Sequence, residues 1–137
     1  MAELEKKLVR IVVSAGNEDV IFVCRKPNAR DMAKFLNSRY TQRRNKIETR
    51  LYEARAEFVD AILVDVENVT FKNSAGVSVP LNAQTQFTDE DRASWAADLD
   101  VRPSELTWKD LLPLNWKSGV AMYFEDAQSR LEGDEGN

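Results

Sequence analysis

The sequence predicts an α+β fold: one or two small antiparallel β-hairpins packed on a long helix, with a C-terminal helical segment. Two runs rich in Val, Ile and Phe flank a Gly-Asn turn near the start. Residues 29 to about 66 then contain neither Pro nor Gly and repeat apolar side chains three and four apart. The last third places Pro113 ahead of a further amphipathic run. At 137 residues the chain is expected to form a single domain over 1–131 with a disordered acidic tail over 132–137. That length buries about two-thirds of the unfolded surface with no disulfide or metal staple.

Residues 8–14 and 19–25 read as the first hairpin, turned by Ala15-Gly16-Asn17-Glu18, because Gly and Asn tolerate positive φ. Val9, Ile11 and Val13 share one face, as do Val20, Phe22 and Cys24, so the hairpin presents an apolar face in need of a cover. The helical stretch supplies it. Pro27 stops the strand, and Asn28 is an N-cap with Asp31 three residues later. Apolar positions follow at Met32, Phe35, Leu36 and Tyr40, then at Ile47, Leu51, Ala54, Phe58, Ile62 and Val66, with a polar patch at 41–46 between them. The pattern fits one long helix exposed at its middle or two helices meeting near residue 42. Unbroken, it would run on the order of 55 Å and project from the body or pack on another chain.

A second hairpin joins 68–72 to 77–81 through Asn73-Ser74-Ala75-Gly76, with Pro80 marking an edge. Thr88 and the acids at 89–91 open a short helix reaching about residue 99, the acids lying where the helix dipole favours them. Ser104 or Thr107 caps a turn through residue 112. Pro113 starts the last helix, in which Trp116, Val120, Tyr123, Phe124, Ala127 and Leu131 form one apolar stripe ending near Gly133.

Charge is sorted into blocks. Residues 25–55 carry ten basic and three acidic side chains, while 56–137 carry six and sixteen. Segregated charge sets a long-range field, so it bears on what the chain binds. Histidine is absent, which removes the commonest general base and any Ser-His-Asp or Cys-His arrangement. The five glycines are isolated, so no phosphate-binding loop or dinucleotide fingerprint is present. The acids at 89–91 lack a calcium-loop spacing and read as helix-terminus charges. Cys24, alone and on a strand, reads as a packing residue and fits a reducing compartment. The expectation is a soluble cytoplasmic protein that is not an enzyme, with no catalytic, cofactor or metal residues and no membrane contact. The residues expected to bind a partner are Arg39, Arg43, Arg44, Lys46 and Arg50 on the basic helix, together with Trp108 in a turn too short to bury it. The basic helix suits acidic protein surface on this chain or on a neighbouring copy, hence a homo-oligomer. As an alternative, it would set these cations on phosphates with Tyr40 stacked on a base; a pI near 5.0 and the lack of a nucleic-acid-binding signature weigh against that.

Two phrases add a resemblance. Phe22-Val-Cys-Arg-Lys-Pro-Asn-Ala-Arg-Asp-Met-Ala-Lys-Phe joins an apolar strand, a basic residue with proline and a helix with spaced Met and Phe. Trp108-Lys-Asp-Leu-Leu-Pro-Leu-Asn-Trp-Lys-Ser-Gly-Val-Ala-Met-Tyr-Phe-Glu joins a short acidic turn, a Leu-Pro break and an amphipathic helix. In layout the chain resembles the small tail assembly chaperones of long-tailed bacteriophages and prophages, though the two hairpins depart from that mostly helical family. The resemblance implies a non-enzymatic protein of the bacterial host cytoplasm that binds the tape measure protein and assists tail tube assembly, often by self-association.

Overall fold

The computed structural model describes residues 7–43 and 46–135. Strand β1 (Leu8–Ala15) turns at Gly16 into β2 (Glu18–Arg25). Gly16 has φ +67°, a left-handed conformation open to glycine without steric cost. The register sets Ile11 opposite Phe22 and Val13 opposite Val20, so the alternating apolar residues of both strands fall on one face. Helix α1 (Ala29–Ser38) begins with the expected cap: the Asn28 side chain accepts from the Asp31 amide, and the Asp31 carboxylate accepts from the Asn28 amide.

Residues 29–66 divide among five elements, neither one long helix nor two helices meeting near residue 42. After α1 come β3 (Tyr40–Arg43) and β4 (Lys46–Thr49), an antiparallel hairpin, and then α2 (Leu51–Ile62). A helix over 40–49 would have had only Tyr40 and Ile47 to bury. With Thr41, Ile47 and Thr49 favouring extended backbone, the segment pairs with itself instead. Ile47, expected on the helical stripe, is 76% exposed. The chain then enters β5 (Leu63–Glu67), which pairs with β2 and completes a sheet of order β1-β2-β5. A register shift opposite Val23 and Cys24 leaves Val64 unpaired and outside, so Leu63 and Val66 both reach the core three residues apart. That bulge reproduces the i, i+3 spacing of a helix in a strand.

The second hairpin forms as expected, from β6 (Thr70–Lys72) and β7 (Ser78–Pro80). Gly76 turns it at φ +77°. Helix α3 (Asp89–Leu99) is capped by Thr88, and the Trp95 indole N–H donates to the Lys72 carbonyl at 3.1 Å, tying the helix to β6. Two single 3-10 turns, Pro103–Glu105 and Trp108–Leu111, lead to α4 (Leu114–Glu135), which runs past the end expected near Gly133 and takes in the first residues of the expected tail. Among its described side chains α4 buries Lys117, Ser118, Val120, Ala121 and Phe124. Trp116 is half-buried, and Tyr123, expected to be buried, is 49% exposed. The side chain of Leu131 lies outside the described part.

Helices α1, α2 and α4 cover the inner face of the three-stranded sheet. Phe58 of α2 stands between Phe35 of α1 and Phe124 of α4, with ring centroids 5.2 and 5.9 Å away. Lys117 is buried against α2, its Nζ 2.9 Å from Asp60 Oδ1 in an ionic contact that lacks the alignment of a hydrogen bond. Phe58→Ala is expected to cost about 3–5 kcal/mol, the usual result of emptying a buried aromatic site, read from chemical denaturation. Asp60→Ala leaves the Lys117 ammonium uncompensated and should cost on the order of 2 kcal/mol, less than a fully dry pair because Asp60 is a third exposed. Adding Lys117→Met should recover most of that loss in the same melts.

Candidate functional site

Helices α1 and α4 both pack on α2 and leave a groove between them. One end, about 440 Å³, is lined by Met32, Phe35, Leu36, Tyr40, Leu51 and Arg55, among others. The other end, about 200 Å³, is lined by Val9, Pro27, Tyr123, Phe124 and Ala127, and Met32 is common to both. The floor follows from the sequence: the Phe35–Phe58–Phe124 contact fixes how far apart the two helices stand. Leu36 and Tyr40, at 46% and 56% exposure, rise from the α1 side, and Tyr123 rises from the α4 side.

The rims are charged. The Arg39 guanidinium lies over the Phe35 and Tyr40 rings, 5.9 and 5.6 Å from their centroids. Arg55 holds Glu125 through two hydrogen bonds of 3.2 and 3.1 Å, with Asp126 beside it, and Lys26 borders the far end. Met32 supplies an adaptable surface in the middle. Such a groove, an apolar floor with aromatic and charged rims, suits the apolar face of a partner helix.

The residues expected to bind a partner are divided by the fold. Arg39 caps α1 at the groove. Arg43 and Lys46 are paired in register across β3 and β4, on a β-hairpin arm where a basic helix was expected. Arg44 lies outside the described residues. Arg50 closes the base of the arm, its amide donating to the Arg39 carbonyl at 2.8 Å and its guanidinium to the Ser38 carbonyl and to Glu57. That pairing raises the Arg50 pKa further above its ordinary value, chiefly through the hydrogen bond to Glu57. Trp108 is elsewhere: half-buried on the core, in a turn whose Lys109 donates to the Asp60 carbonyl near the C-terminal end of α2, away from the arm at its N-terminal end. Met32, Leu36 and Tyr123 form a surface that the sequence does not disclose, since their helical spacing reads equally as core.

Cys24 lies at the sheet–helix interface, where burial pushes its thiol up to about 12, partly offset by Lys109, so it stays a neutral packing group. Among the described residues no group of three or more His, Cys, Asp or Glu side chains converges, and no helix is long and apolar enough to cross a membrane. Comparison with known proteins finds no family model, no curated relative and no solved structure that matches this chain.

The groove's far end depends on the start of α1, where Arg25 donates twice to the Asp31 carboxylate at 2.6 and 3.0 Å. These bonds, with the Asn28 amide, hold Asp31 below the usual carboxylate range. A folded pKa below the unfolded value of about 3.9 gives stability that is present above that pH and lost as pH falls through the folded pKa. Asp31→Asn should therefore lower stability at neutral pH and flatten its decline between about pH 5 and about pH 2, followed by urea melts across that range.

Proposed function

We propose that this chain is a non-enzymatic assembly chaperone of the long-tailed phage type, which holds an amphipathic helical segment of the tape measure protein in the α1–α4 groove during tail tube assembly in the bacterial cytoplasm. The observation that carries the reading is the groove itself. Leu36, Tyr40 and Tyr123 are large side chains left half in water along two neighbouring depressions that share Met32. Clustered exposure of that kind costs solubility and marks interaction surface on soluble proteins. The layout resemblance in the strand–proline–helix and Leu-Pro-helix phrases supports the identity of the partner. Charged rims of both signs on a plastic floor suit a client released after assembly, because rim charges tune encounter and specificity more than raw affinity.

The test is binding to fragments of the tape measure protein encoded beside this chain, by titration calorimetry. Leu36→Lys and Tyr123→Lys, at exposed positions, are expected to leave the melting temperature within a degree or two and to weaken binding by about tenfold or more, as loss of one good apolar anchor worth about 1.4 kcal/mol would. Binding that ignores both substitutions removes the groove from the reading. Absence of any tape measure gene in the neighbourhood removes the phage assignment.

A further inference from the structure

The two walls of the α1–α4 groove differ in the sign of their charge. On the α1 wall, Lys26 stands just ahead of the helix and Arg39 at its C-terminal cap, so each end of the groove has one cation. Arg39 lies over the Phe35 and Tyr40 rings and forms no ion pair among the described residues. On the α4 wall stand Glu125 and Asp126. Glu125 is paired with Arg55 of α2, at side-chain exposures of 28% and 14%, and its charge is spent on the floor. Asp126 is exposed and forms no ion pair among the described residues, so it gives the wall its sign. Arg39 and Asp126 border the same depression of about 440 Å³ from opposite helices and do not pair with each other.

We propose, resting on the groove as the client site, that its occupant is a helix whose apolar stripe has acidic residues along one flank and basic residues along the other, and that these flanks set the direction in which the helix lies. A helix seated with its apolar stripe on the floor turns one flank to α1 and the other to α4. The acidic flank meets Arg39 and Lys26, and the basic flank meets Asp126. Turning the helix end for end exchanges the flanks and sets like charge against both walls, which is a repulsive element against the wrong orientation. The floor cannot make that choice. Met32 at its middle is adaptable, and both ends offer large half-exposed side chains, Leu36 and Tyr40 at one and Tyr123 at the other. Affinity therefore comes from the floor, and direction and partner choice come from the walls.

Three synthetic helical peptides test it on the full chain, all with the same Leu stripe and with flanks of Glu and Lys, of Lys and Lys, or of Glu and Glu. Binding is read by fluorescence anisotropy in 0.1 M salt, where screening beyond about 10 Å suppresses the pull of the chain's net charge of -4. The mixed-flank peptide is expected to bind about three- to tenfold tighter than either like-flank peptide, as exchange of an attractive surface pair for a repulsive one produces. The difference should vanish in 1 M salt, where the screening length falls to about 3 Å. Arg39→Glu should shift the preference to the Lys-Lys peptide, and Asp126→Lys to the Glu-Glu peptide; the two lie on different helices, so either serves if the other melts early. A nitroxide at the N-terminus of the mixed peptide should broaden methyl signals at one end only, those of Leu36 and Leu51 or those of Val9 and Ala127. In the double variant, Arg39→Glu with Asp126→Lys, the broadening should move to the opposite end. Peptides that bind alike and are all lost with Leu36→Lys overturn the charge assignment and leave the groove standing, whereas a wild type that binds none of the three overturns both. Preferences that neither variant moves, or broadening at both ends, also overturn the proposal.

Discussion

Phe58 is the residue through which the three helices of the main layer meet. Its ring touches Phe35 on one side and Phe124 on the other, and the buried Val59 and Ile62 of the same helix reach the core. Aromatic edge and tilted contacts at these distances add about 0.5–1.5 kcal/mol each to the burial itself. Their larger effect is geometric. Because both neighbours rest on one ring, the separation of α1 from α4 is set by the width of an aromatic side chain, and a groove is left over the contact. Shape and stability at the candidate site therefore have one origin.

Polar clamps fix the ends of that arrangement. Asp31 is shared between the cap of α1 and the Arg25 guanidinium, which also donates to the Ala61 carbonyl near the end of α2. At that same end Lys109 reaches the Asp60 carbonyl, while the Lys117 ammonium faces the Asp60 carboxylate. At its start, Arg50 binds the Ser38 carbonyl and Glu57. Charged donors spread over α2 in this way oppose sliding of the helices past one another, something an apolar interface resists weakly. They also engage part of the basic block, Arg25 and Arg50 among it.

That redistribution changes what the charge pattern means. A basic helix packed on the body would have been neutralised along one side by its own fold. The hairpin pairs only with itself among the described residues, and Tyr40 and Ile47 on it are exposed. Screening limits surface charge to a range of about 10 Å at 0.1 M salt, so charge of this kind is felt only near contact. The groove, by contrast, is apolar at its centre, around Met32.

The elements legible in the sequence are those specified by local chemistry. The first hairpin followed from alternation around Gly16, α1 from Asn28 and Asp31, the β6–β7 turn from Gly76, and α3 from Thr88 with its acids; all of these are set within a few residues. The tertiary structure decided the rest. Whether 40–49 is helix or hairpin depends on whether a surface exists to bury Tyr40 and Ile47, and none does. Whether 63–67 continues α2 or joins the sheet depends on the open edge of β2, and the bulge at Val64 then gives a strand the spacing of a helix. Tyr123 and Phe124 are adjacent aromatic residues, yet Phe124 is buried in the core and Tyr123 stands half exposed on the groove. Only the direction from which α2 packs on α4 separates them, and no periodicity within α4 carries that direction.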